Sequence, residues 1–280
     1  MTALSSIGVN PTSIGVSLAW WLDAARSLAD AGFGSAYCWD HFITRGRNKT
    51  DAVLECWTTL TAAAALIDRI RVGSLVTNLM NRHPAVLARS TATLSELAPG
   101  RVDVAIGLGG HHGEHEALGI PFPEPPERLA RLAEALQVMK LLWTGGPVSF
   151  DGAFYQLREA YGFPVPDPAP RLIVGAARAG GVRAAARYAD GWTSDAAPFV
   201  ENLALFRETA SAAGRDPASL ARIVTLDLEK DVPPGRQPML RDLAGTMALW
   251  QERGATEIVI NWVRPIMLGE VLAAAERARA

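Results

Sequence analysis

Along the chain, short runs rich in β-branched residues alternate with longer segments whose apolar positions recur every three or four residues. The short runs predict strands and the longer segments amphipathic helices. Strands are expected at residues 7–9, 35–39, 71–76, 102–106, 172–174, 191–193, 223–227 and 257–261. The intervening helices are expected at 17–31, 54–67, 85–97, 127–143, 182–189, 199–213, 240–252 and 268–279. Punctuation supports these limits: Gly32 follows the first helix as a C-cap, Pro84 opens the third helix, and Pro99-Gly100 ends it. A Pro-rich loop (Pro121, Pro123, Pro125, Pro126) precedes the fourth helix. Between the fourth and fifth units, residues 145–170 leave the pattern. There a hairpin is predicted, with arms 148–150 and 153–155 about an Asp151-Gly152 turn.

Eight strands, each followed by a helix, imply parallel pairing. Eight such units in 280 residues fit a closed α/β architecture, a single (β/α)8 TIM barrel with an insertion, better than a doubly wound sheet. The chain reads as one domain over residues 1–280. With 49% hydrophobic and 20% charged residues, its composition is that of a globular protein. A net charge of −2 favours neither nucleic acid nor an anionic membrane as partner. Cys38 and Cys56 form no C-x-x-C pair and read as apolar fillers in a reducing compartment. The opening Met1-Thr2-Ala3-Leu4-Ser5-Ser6 has no signal-peptide pattern, and the apolar run at 62–67 is too short to span a bilayer. A soluble, cytoplasmic protein is expected.

In a barrel of this kind, chemistry gathers beyond the C-terminal ends of the strands. Those places hold Trp39-Asp40-His41-Phe42, Thr77-Asn78, Gly107-Leu108-Gly109-Gly110-His111-His112, and Gly175-Ala176-Ala177-Arg178-Ala179-Gly180-Gly181 running into a helix at Val182. Glycines there let a ligand approach the backbone, and the free N–H groups of the helix start attract an anion such as a cofactor phosphate. The turn is not G-x-G-x-x-G, which argues against a Rossmann site. His41 is the foremost acid–base candidate, because imidazole titrates near neutrality. Neighbouring residues at a strand end point to opposite faces, so no Asp40–His41 hydrogen bond is assumed. His111, His112 and His115 lack the H-E-x-x-H spacing, so no metal is expected and the reading is a His-lined pocket or solvated loop. Trp39, Trp192 and Trp262 fall at strand ends, where they are candidates to wall a flat ligand.

These same segments resemble the luciferase-like monooxygenase superfamily, and in particular its coenzyme F-420-dependent branch. The resemblance rests on Ala31-Gly32-Phe33-Gly34-Ser35-Ala36-Tyr37-Cys38-Trp39-Asp40-His41-Phe42 at the second strand. It continues through Arg69-Ile70-Arg71-Val72-Gly73-Ser74-Leu75-Val76-Thr77 with Arg82-His83-Pro84, then Thr93-Leu94-Ser95-Glu96-Leu97-Ala98-Pro99-Gly100-Arg101 and Gly107-x-Gly109. Further on, Trp143-Thr144-Gly145-Gly146-Pro147 and Arg187-Tyr188-Ala189-Asp190-Gly191-Trp192 extend it, so that it covers about residues 7 to 262.

The resemblance implies a flavin-type ring over the strand ends. Trp39, Ser74, Leu75, Thr77, Asn78, Gly107 and Gly109 would lie around it, and Gly175, Ala176, Ala177, Gly180, Gly181 and Val182 around its phosphate. It also implies a non-prolyl cis peptide at Ser74-Leu75. His41 is implied as the proton donor or acceptor, with Asp40 near the ring or its partner. One departure stands out. Sugar-phosphate dehydrogenases of this branch carry an acidic glutamate where this chain has Gly110, which leaves His111 or His112 for the role. Glu114, the nearest carboxylate, lies four residues late.

The expected activity is hydride transfer between coenzyme F-420 and a small organic substrate. The alternatives are an FMN-dependent monooxygenase fed by a separate reductase, and a noncatalytic cofactor-binding barrel. A homodimer is expected by family analogy.

Overall fold

The computed structural model describes residues 3–44, 48 and 50–279; Met1 and Thr2 of the opening segment lie outside them. Eight parallel strands close into a barrel: β1 (Ile7–Pro11), β2 (Ser35–Cys38), β3 (Arg71–Asn78), β4 (Val102–Gly107), β7 (Arg171–Gly175), β8 (Gly191–Asp195), β9 (Ala221–Asp227) and β10 (Glu257–Val263). The ring closes where β1 pairs with β10, Ile7 opposite Ile258. Around it lie α1 (Leu18–Asp30), α2 (Cys56–Leu66), α3 (Pro84–Leu97), α5 (Pro125–Leu142), α6 (Ala179–Tyr188), α7 (Ala196–Ala212), α9 (Leu243–Glu252) and α10 (Pro265–Arg279). Caps set the starts as the residue types require. The Ser17 hydroxyl accepts from Trp20 N, and Pro84 sits in the first turn of α3 behind the His83 cap.

Side chains alternate across the strands. In β4, Val102, Val104 and Ile106 face the helix layer, whereas Ala105 joins Tyr37, Leu75, Ile173, Ile223 and Val259 inside the barrel. Asp103 also points inward, at the N-terminal end. Tyr37 Oη donates to it (3.0 Å), Arg71 and Arg171 flank it, and Arg171 also pairs with Glu257 (2.5 Å). Five strands, β2, β3, β4, β7 and β10, are thereby tied at the floor of the barrel.

Several sequence expectations are corrected. The hairpin arms are β5 (Val148–Asp151) and β6 (Gln156–Ala160), so residues 153–155 belong to the turn. Their N–H groups are taken by the Glu134 carboxylate on α5 (2.8–3.0 Å), which satisfies the turn from outside the hairpin. The expected helix at 240–252 is broken into α8 (Pro238–Arg241) and α9, with Asp242 capping the second piece. A short helix, α4 (His112–Leu118), forms where only loop was expected. Helix α6 begins at Ala179, three residues before the predicted Val182, so Gly180 and Gly181 lie in its first turn. The non-prolyl cis peptide is Leu75-Val76, one bond later than implied. At this place the β3–β4 register shifts, and both Leu75 and Val76 lie against the barrel interior.

Among the described residues, no helix is long and apolar enough to cross a membrane. Cys38 and Cys56 are both buried as free thiols.

Candidate active site

A cavity of about 760 Å³ opens at the C-terminal ends of the strands. Leu75 and Val76 form part of its lining, flanked by Gly107 and Gly175. A Cβ on Gly107 would stand 2.6 Å from Val76 Cγ2, and one on Gly175 2.6 Å from Val76 Cγ1. Only glycine therefore leaves room for Val76 at this level. Gly109 adopts φ +77°, a left-handed conformation, and Arg128 holds that turn by donating to the carbonyls of Leu108 (3.1 Å) and Gly109 (2.8 Å). Trp39 and Trp262 line the cavity and meet edge to face at 4.3 Å.

Asp40 is buried, and its carboxylate is fully engaged. Arg82 grips both oxygens (2.5 and 3.0 Å), and Asn78 N donates to Oδ2 (2.9 Å). This forked pair locks the end of β2 to the end of β3. His41 lines the cavity, and its partner is not Asp40. Its Nδ1 lies 3.2 Å from Oε2 of Glu114, the residue that looked four positions late. Glu114 is 1% exposed. Its Oε2 also accepts from Phe42 N and Ile43 N, each at 3.2 Å, so α4 is fastened under the segment that carries His41. A carboxylate only accepts, so Nδ1 is the donor and the imidazole lone pair falls on Nε2.

The other histidines separate. His111 Nδ1 stands 3.5 Å from the same Glu114 oxygen. His112 is exposed and leans on Phe122, away from the cavity lining. His115 is buried, bonded to Asn78 Nδ2 (2.7 Å) and stacked on Phe122; burial pushes its pKa down.

The cavity's far end meets α6. Gly175, Ala176, Ala177, Arg178 and Gly181 line it there. The N-cap residue Arg178 provides no side-chain cap, so the N–H groups of the first turn remain available to an anion. A Cβ on Gly181 would come within 2.6 Å of the Ala176 Cβ, which is why the first turn can lie this close to the loop. A smaller recess of about 280 Å³ adjoins the site and is lined by Thr193, Ser194 and Asp195. Burial, and then the nearby Asp227, push the Asp195 carboxyl up.

Other expected site residues serve the frame. Ser74 donates to Ala105 O (2.9 Å) and Thr77 to Ser74 Oγ (2.8 Å), and neither lines the cavity. Gly180 packs on Leu129 and Val182 lies in the core. Trp192 is core as well, stacked between Phe199 and Phe206 with its indole N–H on Ala176 O (2.8 Å).

The family model for luciferase-like monooxygenases matches residues 1–228. The chain belongs to the luciferase-like monooxygenase family. Within it, an uncharacterised protein of Mycobacterium tuberculosis is 35% identical over 212 residues, 74% of this chain and 69% of the relative. An F420-dependent hydroxymycolic acid dehydrogenase of the same species is 33% identical over 201 residues, covering 71% and 55%. An F420-dependent glucose-6-phosphate dehydrogenase of Kineococcus radiotolerans is 32% identical over 220 residues, covering 76% and 65%. Among solved structures, an F420-dependent secondary alcohol dehydrogenase in complex with an F420-acetone adduct superposes with a TM-score of 0.84 over 100% of both chains at 21% identity, a likeness of fold. Against this luciferase-like frame, sequence reasoning missed the pairing of Glu114 with His41 and the Arg128 clamp. The only local signal for the first was an acidic residue in a His-rich segment, which fits a solvated loop equally well.

Proposed function

We propose that the chain is a coenzyme F-420-dependent oxidoreductase that moves a hydride between the deazaflavin and a small organic substrate. The observation that carries this reading is the His41–Glu114 pair at the edge of a mostly apolar cavity whose other end meets the open N-terminus of α6. The F420-dependent dehydrogenases among its relatives support the choice of cofactor.

The residues fit such a group. The cavity has the size of a small-molecule site. Glycines 107 and 175 make room for Val76 in the cavity wall, and the first turn of α6 with Arg178 suits a phosphate. Bound there, the deazaflavin supplies the carbon that accepts or releases a hydride. Trp39 and Trp262 wall the cavity and exclude water. Glu114 holds the His41 ring, and Nε2 of His41 takes the proton from a substrate hydroxyl as the carbon is oxidised, or returns it in the reverse direction.

Titration of chelator-treated apoprotein with coenzyme F-420 and with FMN, followed by the melting temperature, tests this. A ligand held at about 100 times its Kd stabilises by about 2.7 kcal/mol. Preferential stabilisation by F-420 is expected. Preference for FMN, with oxygen consumed on addition of reduced FMN, would replace this reading with a monooxygenase. No shift with either would leave a noncatalytic barrel.

A further inference from the structure

We propose that His41, His111 and Glu114 form a binding site for a divalent first-row transition metal ion of the Zn2+ type, and that its occupation silences His41. One ligand atom from each residue lies within 4.8 Å of the other two. The Glu114 Oε2 stands 3.2 Å from His41 Nδ1 and 3.5 Å from His111 Nδ1. Tetrahedral zinc, with bonds of about 2.0–2.1 Å, holds its ligand atoms about 3.4 Å apart. Two edges of the triangle are therefore already at coordination spacing.

A second observation points to a ligand. Among the described residues, His111 Nδ1 and Glu114 Oε1, the carboxylate oxygen other than the one facing His41, are buried atoms without a hydrogen-bond partner. Such atoms cost free energy unless something satisfies them, and both belong to this cluster. His111 is the N-cap residue of α4, yet its side chain makes no capping bond, so the ring is not committed to the helix. The carboxylate is aimed by the backbone N–H groups of Phe42 and Ile43, as the outer partners of metal ligands commonly do. Two imidazoles and one carboxylate with an open fourth position suit zinc or ferrous iron and not calcium or magnesium. In the sequence the histidines that stand together are His111, His112 and His115, whose spacing carries no metal motif. The fold discards the last two and recruits a residue 73 positions away from Glu114.

Coordination by His41 requires the Nδ1 lone pair. The single proton of the neutral ring leaves Nδ1 and is taken up at Nε2 from solvent, so the ring can no longer accept one there. Metal binding and proton transfer are thus mutually exclusive at His41. The inhibitory half of the inference rests on the proposed proton role; the binding half does not.

The experiment is calorimetric titration of chelator-stripped apoprotein with Zn2+, with Co2+ as a visible-absorption probe of tetrahedral geometry. One equivalent of Zn2+ with intense Co2+ d–d bands is expected. His111→Ala should weaken Zn2+ binding by roughly tenfold or more, Glu114→Gln should do likewise, and His112→Ala should not. Far-UV circular dichroism of each variant separates lost ligands from lost fold. No uptake by the wild type, or uptake unchanged in both His111→Ala and Glu114→Gln, overturns the site. Cofactor titration in chelator is read separately: Zn2+ binding without cofactor binding overturns only the proposed function, and the converse only this inference.

Discussion

Glu114 and His41 stand 73 residues apart in the chain and 3.2 Å apart in the fold. If Glu114 orients the base, Glu114→Gln will fold normally and keep its cofactor affinity, since the amide oxygen still accepts from Phe42 and Ile43. Turnover should fall by roughly tenfold to a thousandfold, and the pH–rate profile should move with it. Glu114→Ala strips those two N–H groups of their acceptor as well and should lower stability by about 1–3 kcal/mol in denaturant melts. His41→Asn should cost about 10²–10⁴ in turnover, with the cofactor Kd changed only a few-fold in a fluorescence titration. Asp40 belongs to another class of residue. Its forked pair with Arg82 is internal, so Asp40→Asn should show itself first in the melting temperature and only through that in activity. Both side chains line the cavity, yet they have separate partners: Asp40 is held by Arg82 and Asn78, and His41 by Glu114.

At the scale of elements, the site depends on two strand ends making room for a third. Val76 presses against the positions where Gly107 and Gly175 would carry a Cβ. Valine is stiff about χ1 and does not swing aside. Gly175→Ala should therefore cost about 1–3 kcal/mol and weaken cofactor binding, and Val76→Ala in the same chain should restore much of both. A double-mutant cycle on melting and on cofactor Kd measures that coupling. Helix α4 is the element that sequence periodicity did not show. Its seven residues, His112–Leu118, are too few to display a period, and what holds it is the burial of Glu114 and His115. The early start of α6 has a related cause: Gly180 and Gly181 are expected in the turn before Val182, yet they sit in the helix, where the first turn packs against Leu129 and Ala176.

For the whole molecule, the decisive charges lie at the opposite end of the barrel from the site. Asp103 is buried, and the Arg171 and Arg71 guanidinium groups overcome its burial and hold its carboxyl well below the usual range. A depressed folded-state pKa means that its contribution is complete above the unfolded value of about 3.9 and is lost as pH falls below it. Melts between pH 7 and pH 2 should show stability dropping below about pH 4, and Asp103→Asn should remove most of that acid-limb slope. Breaking the buried pair should itself cost about 3–5 kcal/mol at neutral pH. The sequence by itself determined the barrel, because eight apolar runs separated by helical periods carry their signal locally, residue by residue. It also marked the strand ends where a ligand could sit. Only the tertiary structure decided which groups meet there: that His41 faces Glu114 and not Asp40, that His112 and Trp192 stand aside, and that Arg128 clamps the glycine turn. Such contacts join residues far apart in the chain, and they are set by how a closed sheet brings its strand ends into one ring, a distance that no local pattern records.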